Sequence, residues 1–323
     1  MQIESCDELK KSMNNIRRMK LEMHSNLKWG QKPETEFKEQ LSNVKVSLHY
    51  APSMDEILDY VPNFMLNTWN EDVQTDFTKE ERIKCMQELF RGEILPTGME
   101  TIELVFSIEG MDMIDTTHLI RHRLFSYSAQ AHGDRDIRHD DCMVKSSIME
   151  SQYYDRYKEI VEAAKELYCE MVDSAEIHAL DARTIMPRNL KHFYFMKGNI
   201  KDFMGYIRLR LDEQIQTTVD NVIALQMLVE IVRQFPILKG VINPEQPDAF
   251  YCKQTLAGKT NIFAPNDKNR IAMQRQMAKT GTIAWDPKQF IYAGHRDEYG
   301  ETAYQRIRSK LIDELNSIHN PYE

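Results

Sequence analysis

The chain has 323 residues, 42% of them hydrophobic and 28% charged, which gives room for a sizeable core in one large domain or two smaller ones. A net charge of −9 and a pI near 5.7 speak against a surface that coats a nucleic acid polymer, but not against a local basic pocket for a small anion. No run approaches the roughly 20 apolar residues of a membrane span, the start (Glu4, Asp7, Glu8) is not that of a signal peptide, and five scattered cysteines without a Cys-x-x-Cys pair read as reduced thiols. The expectation is a cytoplasmic protein that handles small molecules, with no membrane partner.

In chain order, residues 1–43 are polar and charged and read as an appended, loosely held N-terminal extension. Val44 to Leu48 alternates as a half-buried strand does. Asp55 to Leu66 places Ile57, Leu58, Val61 and Met65 at helical spacing, and Lys79 to Phe90 is a second helix with Ile83, Met86 and Leu89 on one face, ended near Arg91-Gly92. Leu104 to Ile108 is a strand punctuated by Gly110, and a helix from Met113 leads into Arg121-His122-Arg123. The capping-box pattern Ser147 to Glu150 opens a long helix to about Ala182, and Pro187 breaks the chain. One further helix, Asn199 to about Gln234, carries Leu209, Ile215, Val219, Val222, Leu225, Leu228 and Ile231 as its inward stripe. From Gly240 the composition shifts to Pro, Asn, Gly and aromatics, and the chain closes with an amphipathic helix at 302–318. The body, 44–239, is α+β with helices dominant, and 240–323 is a C-terminal extension.

Several clusters could carry chemistry. Adjacent side chains on a helix diverge by about 100°, so two arginines around a histidine at a helix end can grip a ligand from two sides, Arg supplying bidentate contacts to phosphate. A solvated basic patch is the plain alternative. Arg210 and Gln214 are i,i+4 neighbours on one helix face, while Arg208 reads as a surface partner of Asp212. His132, Asp134, Asp136, His139, Asp140, Asp141 and Cys142 crowd metal-type ligands into one loop. Three readings stay open: an exposed charged loop neutralised by Arg135 and Arg138, a nucleotide contact through His132 or Arg135, or a metal site. For the last, His139-Asp140 resembles the pair of HD-type metal phosphohydrolases, with His122 and Asp181 as the remaining candidates. Leu256 to Thr260 lacks the first glycine of a phosphate loop, which would fall at Lys253, and the nineteen methionines are simplest as core filler.

The order of the motifs resembles the flavin-dependent thymidylate synthases. Thr97-Gly98-Met99-Glu100 matches a Ser/Thr-x-x-Glu element, Ile108-Glu109-Gly110 a strand end, and His118-Leu119-Ile120-Arg121-His122-Arg123 a Gln-x-x-Arg-His-Arg helix end with His in place of Gln. Ala182-Arg183-Thr184-Ile185-Met186-Pro187-Arg188-Asn189-Leu190, Asn199, Leu209-Arg210-Leu211-Asp212 and Gln216 follow at matching spacing. The resemblance covers about Val44 to Leu238. It implies an antiparallel sheet with long helices, and a homotetrameric FAD enzyme. Such an enzyme uses NADPH and methylenetetrahydrofolate to methylate C5 of a pyrimidine mononucleotide, dUMP to dTMP. It also implies that Arg121, His122 and Arg123 contact the flavin, with Thr97, Glu100 and Asn199 lining that site. His118, Arg121, His132, Arg135, Arg183 and Arg210 would hold the nucleotide, and Arg210 would stabilise the charge that develops on the uracil ring. No metal is required. The match loosens after the triplet, where Ser128, Ala129 and Ala131 replace Asn, Glu and Ser, and Arg135 aligns only with two residues inserted. Three alternatives follow: UMP or dCMP as substrate, a hydroxymethyl product, or a binding subunit without activity.

Overall fold

A computed structural model describes residues 10–15, 30–130, 136–211, 217–241 and 303–322. In chain order the elements are α1 (10–15), β1 (Phe37–Glu39), α2 (Gln40–Asn43), β2 (Lys45–Tyr50), α3 (Met54–Leu66), α4 (Lys79–Arg91), β3 (Glu103–Met111), α5 (Met113–Leu119) and β4 (Ser126–Ala129). After these come β5 (Cys142–Val144), α6 (Ser146–Met149), α7 (Tyr154–Asp173), α8 (Ala179–Ala182), β6 (His192–Asn199), α9 (Ile200–Arg210), α10 (Thr218–Gln234) and α11 (Ala303–Ser317). A four-stranded antiparallel sheet has the order β2-β3-β6-β4, and β1 pairs in parallel with β5. Among the described residues no helix is long and apolar enough to cross a membrane.

The chain forms two compact units. One gathers residues up to 43, 109–118 and 128–194; the other gathers 44–108, 119–127 and 195 onward. In the first unit, α7 lays Val161, Tyr168, Cys169 and Val172 against Ile137, Cys142 and Leu190. Residues 30–43 are not loosely held. Their β1 strand meets β5 with Phe37 opposite Cys142, the Gln40 amide donates to Asp115 at 2.5 Å, and Lys38 pairs with Asp141 at 2.7 Å. Burial raises the Asp115 carboxyl to about 6, against the pull of Lys145, whose ammonium lies 2.9 Å away.

In the second unit, α3 and α4 each begin with a full capping box, Ser53/Glu56 and Thr78/Glu81, and Gly92 ends α4 in the left-handed region at φ 70°. Helix α10 is buried on nearly every side, from Val219 through Val232, because α9, β2 and α11 all lie against it. Helix α11 is tied down by an Arg233–Glu314 ion pair and by Lys239, whose ammonium donates to the Asn316 carbonyl at 2.6 Å.

Three expectations change. Gly110 does not end the strand, since β3 runs on to Met111 with Gly110 at φ 78°, a conformation that costs glycine nothing. The expected helix from Ser147 to Ala182 is three helices. Lys145 is the N-cap of α6, the Ser151 hydroxyl bonds the Ile148 carbonyl where that helix stops, and α7 gives way at Ala175 with φ 57°. Likewise Asn199 to Gln234 is two helices, because Asn199 caps α9 through the Asp202 amide and Thr217 caps α10 through the Asp220 amide. Leu209, expected to face inward, is 49% exposed.

Candidate functional site

Helix α5 stops at Leu119, so Arg121-His122-Arg123 lies in turns beyond it rather than on a helix face. Three aromatic anchors fix those turns. The Tyr127 hydroxyl lies 2.9 Å from the carbonyls of both Leu119 and His122, and the Phe125 ring packs 4.7 Å from Phe203 and 5.9 Å from Tyr206. Gly198 lets the Phe125 ring in, for a Cβ there would overlap it. The His122 ring stands edge-on to Tyr206 at 4.8 Å. With the histidine turned inward, Arg121 and Arg123 face solvent, and neither has an ion pair or hydrogen bond with another described residue.

The inward side meets Arg210, the last residue of α9. Its Nε and Nη2 lie 3.1 and 2.9 Å from His122 Nε2, and its Nη1 donates to Asp220 at 3.1 Å. Arg210 is 8% exposed and Asp220 0%. The Asn221 amide donates to the Arg210 carbonyl at 2.6 Å, satisfying a group that a helix C-terminus leaves open. Burial, and after it the Arg210 charge, push the His122 pKa down to about 4, with Asp220 opposing. The histidine is therefore neutral near pH 7, and Arg210 balances its charge on Asp220 alone among these three. Tyr206 is buried with its hydroxyl unpartnered among the described residues, and burial holds that hydroxyl well above its usual pKa.

The second unit holds Thr97, Glu100, Arg121, His122, Arg123, Asn199 and Arg210. Of these, His122 and Arg210 are joined by hydrogen bonds. Glu100 forms an ion pair with Lys201, two residues beyond Asn199, and exposed Thr97 donates to the Met65 sulfur at 3.6 Å. The Asn199 side chain is engaged at both ends by Asp202, at 2.9 and 2.8 Å. Arg208 is half-buried, which lowers its pKa. His118 and Arg183 belong to the first unit, where Arg183 is exposed and its side chain has no partner among the described residues. His132, Arg135, Asp212, Gln214, Gln216 and the 256–260 run lie outside the described residues.

The loop after residue 135 is not the exposed charged segment its composition suggests. Asp136 and Arg138 are buried, the guanidinium bonding Asp136 at 2.8 Å, Asp173 at 2.7 and 3.1 Å and the Gln31 carbonyl at 3.0 Å. Position 173 is 35 residues away, so local composition could not show it. His139 Nδ1 accepts the Glu34 amide at 3.2 Å, and the Asp140 carbonyl accepts the Lys165 ammonium at 2.6 Å. Among the described residues no group of three or more His, Cys, Asp or Glu is placed to hold a metal ion. Burial raises the thiols of Cys85, Cys142 and Cys169 to about 11, so they are protonated and poor nucleophiles.

Sequence reasoning missed Asp220, Asn221, Phe125 and Tyr206. A readable signal existed for the first: Thr217 three residues before Asp220 is a helix-cap pattern that would have placed a carboxylate in a first turn.

The sequence model of the family described as "Thymidylate synthase complementing protein" matches residues 49–237. A flavin-dependent thymidylate synthase of Pyrococcus abyssi is 26% identical over 201 residues, 59% of this chain and 82% of that protein. The Pyrococcus furiosus enzyme of the same name is 27% identical over 203 residues, with the same coverage of 59% and 82%. Among solved structures, a UMP/dUMP methylase, PolB, from Streptomyces cacaoi shares the fold with a TM-score of 0.52 at 16% identity, over 62% of this chain and 94% of that one. The match spans the second unit's exposed arginine pair, its neutral histidine and its buried Arg210, and it makes this chain an enzyme of the thymidylate synthase complementing protein family, the flavin-dependent thymidylate synthases.

Proposed function

We propose that the protein binds FAD and transfers a one-carbon unit from methylenetetrahydrofolate to C5 of a pyrimidine mononucleotide, dUMP to dTMP in the first instance. The observation that carries this is the split character of the triplet. Two exposed guanidinia, without partners among the described residues, stand on either side of a neutral histidine joined to a buried arginine. Unpaired, solvated arginines suit the diphosphate of FAD, since a planar fork matches phosphate oxygens and no buried ion pair must first be broken. The donor set therefore fits the cofactor. When bound, flavin supplies the redox and one-carbon carrier chemistry, with NADPH as its electron source.

In this reading Arg121, His122 and Arg123 hold the flavin, and Thr97, Asn199 and the Glu100–Lys201 pair line its pocket. His118, Arg121, His132, Arg135 and Arg183 hold the nucleotide. Arg210 is the catalytic residue. A guanidinium already fixed by Asp220 needs no reorganisation to stabilise negative charge spreading from C5 onto a uracil carbonyl. The UMP/dUMP methylase that shares the fold puts UMP beside dUMP among the nucleotides to test, with dCMP and a hydroxymethyl product as further outcomes. A homotetramer in the cytoplasm completes the proposal.

Titration with FAD, followed by incubation with NADPH, methylenetetrahydrofolate and dUMP, UMP or dCMP and mass spectrometry of the nucleotide, tests it. Arg210→Ala is expected to abolish turnover and keep flavin uptake. Absence of flavin uptake by the native protein, or full turnover by the variant, would overturn it.

A further inference from the structure

The bond between His122 and Arg210 fixes more than position. A guanidinium has five N–H donors and no acceptor. His122 Nε2, within 3.1 and 2.9 Å of two of those nitrogens, must therefore present its lone pair to them. A neutral imidazole has one N–H, so the proton sits on Nδ1, and the depressed pKa of His122 agrees with a ring that stays neutral.

Asp220 holds the other side of Arg210. The carboxylate takes Nη1, on the opposite side of the guanidinium from the Nε edge that faces His122. It is fully buried, it stands in the first turn of α10 where the helix N-terminus favours an anion, and the Thr217 hydroxyl accepts its backbone amide at 3.1 Å. Its neighbour Asn221 grips the Arg210 carbonyl. One turn of α10 thus holds both the backbone and the side chain of the residue that ends α9. Removing the carboxylate takes away the charged acceptor that fixes Nη1, so the plane of the guanidinium, and with it the edge turned to His122, is less tightly set.

We propose that Asp220 is a positioning residue: it fixes the plane of Arg210 and, through Arg210, locks His122 in its Nδ1–H tautomer, so that the triplet offers the flavin a neutral donor of set direction. The donor's use rests on the flavin reading above, whereas the tautomer is a property of this chain alone. Nuclear magnetic resonance of protein labelled with ¹⁵N-histidine, assigned with His122→Gln, separates the two. The native protein is expected to show His122 as a single neutral tautomer with Nε2 unprotonated from pH 6 to 8. Asp220→Asn, similar in shape and uncharged, should give a mixture of tautomers and lower kcat by on the order of 10²-fold with FAD uptake kept. Asp220→Glu should restore part of both. A native Nε2–H tautomer overturns the proposal, as does an Asp220→Asn spectrum and kcat that match the native ones. Should neither Asp220 variant fold, the native tautomer and its loss in Arg210→Lys, which keeps the charge without the planar fork, decide in the same two directions. A protein with the expected tautomers and no flavin uptake would sink the flavin reading and leave the lock standing.

Discussion

Two buried arginines, one in each unit, are held in different ways. Arg138 is closed in by two carboxylates, Asp136 and Asp173, and by a backbone carbonyl, and against the effect of burial its hydrogen bond to Asp173 raises its pKa. Among the described residues Arg210 meets one carboxylate, Asp220, with a neutral imidazole on its other edge. The first guanidinium has more than its own charge in counter-charge and has none left to offer. The second meets a single carboxylate among the described residues, and the ring it touches carries no charge. Burial by itself does not mark a functional arginine; the number and charge of the acceptors around it do. Arg121 and Arg123 form a third class, exposed and unpaired among the described residues.

Each class predicts a different response. The largest effect on stability is expected at Arg138→Ala, which leaves Asp136 charged and fully buried and should cost about 3–5 kcal/mol, read from the denaturant midpoint. A midpoint unchanged by that variant would remove the contrast with Arg210. Arg121→Ala and Arg123→Ala should each weaken FAD binding by about tenfold, or 1.4 kcal/mol, as a lost charge-assisted contact does. Their stability should stay within about 0.5 kcal/mol of the native protein, as for surface changes generally. A large stability loss there would place them with Arg138.

The smallest effect is one of pH, and the two units should show it with opposite sign. His122 is pushed from 6.5 down to about 4, so the folded protein binds fewer protons than the unfolded chain between those values, and its contribution to stability falls as pH drops from 6.5 toward 4. Asp115 is raised from 3.8 to about 6, so the folded protein binds more protons there, and its contribution is full below pH 4 and lost as pH rises through 6. Between pH 4 and 6 the two partly cancel. Denaturant melts of His122→Gln and Asp115→Asn across that window should diverge from the native curve in opposite senses; slopes shifted the same way would contradict the assignment of either group.

What could be read from the sequence was what is local. The helices from Met54 and Lys79 announced themselves because their apolar residues recur within a few positions of one another, and the Ser53/Glu56 and Thr78/Glu81 caps that the structure adds are just as local. The division of α9 from α10 was hidden, because Val219, Val222, Leu225, Leu228 and Ile231 continue a helical period that seemed to begin earlier, and the Thr217 cap went unread. At the site, the residue types in Arg121-His122-Arg123 and Arg210 carried the resemblance. Which of them turns inward depends on contacts spanning 88 residues from His122 to Arg210. Arg138 was misjudged for the same reason.

The family match begins at residue 49 and ends at 237, yet residues 30–43 and 303–322 are bonded into the two units. A protein trimmed to the matched span would leave the Cys142–Val144 strand without its parallel neighbour and strip α11 from the apolar side of α10. An open strand edge and a bared hydrophobic helix are the two commonest invitations to aggregate. The limits that define kinship in this enzyme are therefore narrower than the limits within which its strand edges and apolar helix faces are covered.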